Sequence, residues 1–266
     1  MQLRPPAVAG MFYPGNPTKL INLVDQMLAN VAVPGVAPKA MILPHAGYRY
    51  SGPTAALGYA TLHTKARSIE RVVLLGPCHR MGIAAVALPG TDAFATPLGN
   101  VPVWAEGATK LSQLEQVAVA PEVHAQEHSL EVHLPFLQRT LPDFEVLPLA
   151  VGWVTPEEVA QVLAAVWGGP ETLIVVSSDL SHYLSYGQSK ATDRATLRQI
   201  MELGPALDHD QACGATPING LMVVAKHIDM TPTVVSNCNS GDTTFDHSRV
   251  VGYAFIRFDH SDGVDA

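Results

Sequence analysis

The chain has 266 residues, 47% of them hydrophobic and only 15% charged, with a formal net charge of −8. That much apolar chain can bury a large core, which excludes disorder as the main state. The acidic balance, with no long Lys/Arg run, excludes the electrostatic footprint of a nucleic-acid binder or of a protein drawn to an anionic membrane.

No apolar run reaches the roughly 18 residues that a membrane span needs. Residues 1–10 show no charged-then-apolar leader pattern. Three scattered cysteines, Cys78, Cys213 and Cys238, make no disulfide framework, so a reducing, cytoplasmic setting is expected.

In chain order, a Pro-Gly turn leads into a predicted helix over residues 16–28, with Asn16 as its N-cap. Residues 39–43 (KAMIL) form a short apolar run stopped by Pro44. A helix is predicted over 54–62, after Pro53. Residues 71–75 (RVVLL) form a second apolar run, stopped by Gly76-Pro77, and residues 84–87 are a further strand candidate. Residues 99–103 read as a loop, as do 31–38.

A helix is predicted over 130–140, punctuated by Pro135, and a strand over 145–150. Residues 155–167 open with TPEE: a cap, a first-turn proline, and acids near the positive helix end. Residues 172–176 (TLIVV) form a third apolar run, stopped by Ser177-Ser178-Asp179. Helices over 193–202 and 218–227 and strands over 232–235 and 250–257 complete the set, and residues 259–266 are expected to fray. Five-residue apolar runs between turn formers are strands covered on both faces. Their alternation with helices predicts one α/β domain over residues 1–266, a central, mostly buried sheet flanked by helices.

The 11 histidines matter for where they fall. His45 follows the first apolar strand, His79 the second and His182 the third. Ligands of open α/β sheets bind outside the carboxyl ends of the strands. A further cluster lies in EHSLEVH, with Glu127, His128, Glu131 and His133. On a helix His128 and Glu131 would share a face, while His133 would point elsewhere. Neutral imidazole is a common metal ligand, and two His with one carboxylate is the non-haem Fe(II) pattern. Here His45 and His79 would be the histidines, and Asp242 or Glu131 the carboxylate. Asp179, three residues before His182, could set that ring's tautomer, leaving His182 as a general acid or base. Tyr48, Cys78, His128, Glu131, His133 and Thr243 would line the cleft. His63, His124, His209, His227, His247 and His260 read as ordinary surface or loop residues.

The same residues carry a resemblance. RPPAVAGMFYP (4–14), PHAGYRYSGPTAA (44–56), LLGPCHR (74–80), EHSLEVHLPFL (127–137), VVSSDLSHY (175–183), CGATPINGL (213–221) and NSGDTTFDHSRVVGYAF (239–255) resemble the Memo family. Prokaryotic members of that family are called AmmeMemoRadiSam system protein B. Memo proteins are similar in fold to the class III extradiol dioxygenases, which are non-haem Fe(II) enzymes. The resemblance therefore implies that fold, with His45 and His79 at metal-ligand positions and Asp179 and His182 in the same cleft. Eukaryotic members add a cysteine ligand near the C-terminus. That position is Thr243 here, preceded by Asp242, and a threonine hydroxyl is no substitute for a soft thiolate.

Three functions follow as expectations. One is a non-haem iron oxidoreductase of dioxygenase type on a small molecule, its divalent metal Fe(II), with zinc or copper also compatible. The second is a non-enzymatic binding protein for a peptide or protein, acting with the radical SAM and AMMECR-type partners that the family name records. The third is a zinc hydrolase.

Overall fold

A computed structural model describes residues 2–32 and 35–260. Elements run β1 (Leu3–Arg4), α1 (Pro17–Ala29), β2 (Ala40–Leu43), α2 (Tyr48–Thr61), β3 (Arg71–Pro77), β4 (Val86–Leu88), β5 (Ala93–Thr96) and β6 (Gly99–Pro102). There follow α3 (Ala105–Leu111), β7 (Val117–Val119), α4 (Pro121–Ala125), α5 (Leu134–Thr140), β8 (Glu145–Val151), α6 (Pro156–Val166) and β9 (Thr172–Ser177). The last are β10 (His182–Leu184), α7 (Tyr186–Met201), α8 (Ala215–His227), β11 (Met230–Asn239), α9 (Ser240–Thr244) and β12 (Val250–His260).

The main sheet runs β10-β12-β2-β9-β3-β8-β4-β7, with β11 paired on β12. Its centre, β2-β9-β3-β8, is parallel. Alternate residues of each apolar run serve opposite layers, as the two-residue period of a strand requires. Met41, Leu43, Val72, Leu74, Leu173 and Val175 meet Leu20 and Val24 of α1, Tyr59 of α2 and Phe136 of α5 on one face. Ile42, Val73, Leu75, Ile174 and Val176 meet α6, α7 and α8 on the other, through Val162, Leu197 and Leu221 among others. The chain is thus α/β with a large mixed sheet between two helical layers, as expected. No helix of the described residues is long and apolar enough to cross a membrane.

Local signals account for several ends. Asn16 Oδ1 accepts from Lys19 N at 3.0 Å. Thr155 and Glu158 make a reciprocal capping box on α6.

Other expectations are corrected. The helix predicted over 54–62 starts at Tyr48 and runs through Pro53; burial of its Tyr48–Tyr59 face outweighs the bond that proline forfeits. The helix predicted over 193–202 starts at Tyr186, where Ser185 and Gln188 form an S-x-x-Q capping box. The loop expected over 99–103 contains β6, the return strand of a hairpin with β5. Strand 232–235 extends over Met230–Asn239; Pro232 is tolerated because β11 pairs on one side only. Asp259 and His260, expected to fray, pair with Thr231 and Met230. Residues 261–266 of that tail, and 33 and 34 of the expected 31–38 loop, lie outside the described residues.

One close approach carries a prediction. A Cβ on Gly152, just past β8, would lie 1.9 Å from the Ile83 carbonyl oxygen, and backbone cannot yield as a side-chain end can. Gly152→Ala is expected to lower stability by about 1–3 kcal/mol in urea titrations. Gly187→Ala, on open helix surface, should instead gain about 0.5 kcal/mol.

Candidate metal centre

Strand register assembles the site. β9 pairs with β2 on one side, Leu43 opposite Ser177, and with β3 on the other. Three adjacent strands therefore end at one rim, and the residue two positions beyond each end turns into it: His45, His79 and Asp179. Glu127 and His128 enter from the irregular segment between α4 and a 3-10 turn at Glu131–His133.

The rings of His45, His79 and His128 converge. Centroids are 5.1 Å apart for His45 and His79, 5.4 Å for His45 and His128, and 4.6 Å for His79 and His128. One ring nitrogen of each lies within 4.8 Å of those of the other two. His45 is buried, and His79 faces the opening.

Electrostatics keep two of these rings, His45 and His128, unprotonated. Burial, then the neighbouring imidazoles, hold His45 well below the usual histidine range. Burial, then His79, pushes His128 down to about 4. Glu127 is the orienting carboxylate: its Oε1 accepts from His79 Nδ1 at 2.8 Å, and it also receives the backbone N–H groups of His79, His128 and Ser129. Burial opposes its charge, but the bonds from His79 and these amides win, holding its pKa down to about 2. With Nδ1 of His79 committed to Glu127, Nε2 is the ring nitrogen that remains for a metal, the arrangement that outer carboxylates impose on metal-binding histidines.

Three imidazoles converging from separate chain segments are a donor set that borderline divalent metals accept. His128 Nδ1 is buried with no hydrogen-bond partner, although Glu127 Oε1 lies 3.4 Å away. The residues present fit a metal ion.

The Memo-like protein family model matches residues 4–257. The chain belongs to the Memo family. A MEMO1 family protein of Aquifex aeolicus is 36% identical over 97% of this chain and all of that relative. Another, from Ignicoccus hospitalis, is 34% identical over 97% of this chain and 99% of the relative. A third, from Metallosphaera sedula, is 32% identical over 96% and 99%.

Within this Memo chain, the expected residues separate into two groups. His45, His79, His128, Asp179, His182 and Cys78 line one cleft of about 1380 Å³. Asp179 accepts from His45 N at 2.8 Å and lies 4.0 Å from His45 Nε2, so it braces the His45 loop; His182 is held by the Leu180 carbonyl instead. Burial raises Asp179 to about 7 and lowers His182. Burial, then Glu127, pushes the Cys78 thiol up to about 12, so it stays protonated.

The second group lies elsewhere. Asp242 is exposed and caps α9, accepting from Tyr186 Oη at 2.6 Å and Asn239 N at 2.9 Å. Thr243 beside it is exposed. Glu131 is fully buried, paired with Arg4 and bonded to the N-terminal segment. Tyr48 donates to Val132 O at 2.6 Å inside the core. His133 is buried against Tyr59 and Ser177. His124, read as a surface residue, is buried and bonded through Nε2 to Ala87 O. EHSLEVH is therefore not one helix, and its side chains diverge: His128 to the cleft, Glu131 to the N-terminal strap, His133 to the core.

Three contributors escaped the sequence. Phe12 packs its ring 4.7 Å from that of His128. Cys213 Sγ lies 3.3 Å from His45 Nε2. Trp153 lines the same cleft. Phe12 and Cys213 fall in segments that carry the family resemblance, but nothing in those segments points to the cleft; only the fold brings all three to the rim.

Proposed function

We propose that this Memo protein is a mononuclear metal enzyme, an oxidoreductase of dioxygenase type with Fe(II) as working metal and a small phenolic substrate. The observation that carries the reading is the convergence of three imidazoles beside a carboxylate whose pKa lies near 7. A neutral donor set leaves a divalent cation its full charge and favours anionic oxygen ligands such as phenolates. Bound there, the metal would supply Lewis acidity to such an oxygen and, as Fe(II), electrons for dioxygen. Zinc or copper suits the same donors; the preference for iron rests on the likeness of Memo proteins to the extradiol dioxygenases. Asp179, poised near neutrality, accepts the phenolic proton. His182, neutral and half-buried, relays protons at the cleft wall. Phe12 and Tyr183, both in the lining, offer apolar faces to a flat ring.

Protein loaded anaerobically with Fe(II) should take up oxygen with catechols, and His182→Ala should abolish uptake while keeping its metal. No uptake with any catechol sinks the oxidoreductase reading. His45→Ala, His79→Ala and His128→Ala should each weaken Zn(II) binding by more than the roughly 10–100-fold that losing an outer partner costs; Asp242→Ala should leave it unchanged. Chelator competition on all four variants checks this.

One observation favours a second reading, binding of a peptide or protein. The cleft, about 1380 Å³, exceeds the roughly 300–1,000 Å³ of small-molecule pockets, and Trp153 on its rim is 74% exposed. Radical SAM and AMMECR-type proteins are the partners that the resemblance suggests. On this reading they co-elute with the chain in gel filtration, also with His182→Ala.

A further inference from the structure

His133 and Tyr59 have no part in the cleft, yet both are buried polar groups in one hydrogen-bond chain. Tyr59 Oη lies 2.8 Å from His133 Nδ1. His133 Nε2 lies 2.9 Å from Ser177 Oγ, and Ser177 Oγ lies 2.7 Å from His45 Nδ1. Ser177 Oγ also meets the Ser129 carbonyl at 2.6 Å. None of the four side chains is more than 2% exposed, so water takes no share of these bonds.

Proton counting gives the chain a direction. The Ser129 carbonyl carries no hydrogen, so at 2.6 Å the single Ser177 hydroxyl hydrogen must go to it. Ser177 Oγ then has only lone pairs for its other two neighbours. His133 Nε2 and His45 Nδ1 must each bring a hydrogen. Burial pushes His133 down to about 3, so it is neutral; with its hydrogen on Nε2, Nδ1 accepts from the Tyr59 hydroxyl. Every donor then meets one acceptor. The opposite polarity would set two lone pairs face to face across the 2.6 Å contact.

We infer that Ser177, anchored by the Ser129 carbonyl and completed by the His133–Tyr59 pair, is a positioning residue that locks His45 as the Nδ1–H tautomer, with Nε2 bare toward the cleft. This rests on the reading of His45 as a metal ligand. Ser177 does for His45 what Glu127 does for His79, with a hydroxyl in place of a carboxylate. The anchoring carbonyl is that of Ser129, the residue after His128, so one segment supplies one ring to the cluster and sets the tautomer of another. The Nε2 lone pair points at Cys213, whose thiol hydrogen it takes at 3.3 Å when no cation is there.

The test reads protons directly. In metal-free protein with ¹⁵N-labelled histidine, nitrogen NMR should show His45 protonated at Nδ1 and His133 at Nε2. A hydrogen on His45 Nε2 in the wild type overturns the inference, whether or not the protein binds metal. Ser177→Ala should mix the His45 tautomers and weaken Zn(II) binding about 10–100-fold. Ser177→Thr, which keeps the hydroxyl, should restore both. Tyr59→Phe should leave His45 unchanged, because the Ser129 carbonyl still sets the direction. An unaltered His45 tautomer in folded Ser177→Ala also overturns it. If the wild type binds no Zn(II), the reading of the centre fails, and the NMR result still decides this one.

Discussion

Glu131→Ala should destabilise the protein by about 3–5 kcal/mol, the usual cost of stranding one partner of a buried ion pair. The carboxylate is fully buried, and Arg4 opposite it is 3% exposed. Glu131 receives the Arg4 guanidinium, Ala7 N at 2.7 Å, Val8 N at 3.0 Å and Tyr13 Oη at 2.5 Å. Arg4 in turn donates to the carbonyls of His124 and Glu127. Removing the carboxylate leaves a buried cation, two amides and a phenol without their acceptor. Against a total of about 5–15 kcal/mol that is a large fraction. The N-terminal strap is expected to detach first, and with it the Phe12 ring that packs on His128. Urea midpoints and protease cleavage within residues 4–16 measure both effects. Glu158→Ala, which removes half of the exposed α6 capping box, should lower the midpoint far less. Equal midpoints for the two variants would refute the account.

Acid should unfold the protein well before its carboxylates are fully protonated. His124 and His133 are about 99% buried and are pushed by burial down to about 4 and about 3. In the unfolded chain each titrates at about 6.5. Between those values the unfolded state binds more protons, so stability rises with pH and is lost as pH falls. The stability is fully present above about 6.5 and drains away toward 4. Each group contributes about 1.4 kcal/mol per pH unit inside its window, and the two together cost on the order of 5 kcal/mol by pH 4. Urea midpoints at pH 7, 6, 5 and 4 should fall steeply. His124→Gln keeps a donor for the Ala87 carbonyl and should flatten the slope. A midpoint that is constant from pH 7 to 5 contradicts the prediction.

The sequence made the centre of the sheet legible because β2, β3 and β9 are apolar on both faces and end in turn formers. That also sufficed to bring His45, His79 and His182 to one cleft, since adjacent parallel strands end together, although His182 stays outside the imidazole cluster. His128 was legible as a cleft residue but not as the third imidazole of the cluster. His128 lies in an irregular segment, and its direction depends on Glu131 being drawn away to Arg4, a partner more than a hundred residues distant. A carboxylate such as Asp242 looked available because a helix cap and a ligand are the same residue type in a sequence; only the bonds to Tyr186 and Asn239 distinguish them. The short strands at the β5-β6 hairpin were missed for a related reason. Their residues are small and few, and pairing rather than pattern makes them strands.

The pairing of β2 has a consequence for how the protein is made. Ala40 is hydrogen-bonded in register with Ile174, and Ile42 with Ile256. Closing such loops is slow and comes late in folding. During synthesis, the segment bearing His45 leaves the ribosome long before β9, and longer still before β12. A cation met at that stage would find flexible imidazoles and no cluster. If the cluster holds an ion, its loading would therefore follow completion of the sheet, the ion would not template the fold, and metal-starved cells should accumulate intact, folded apoprotein rather than degraded chain.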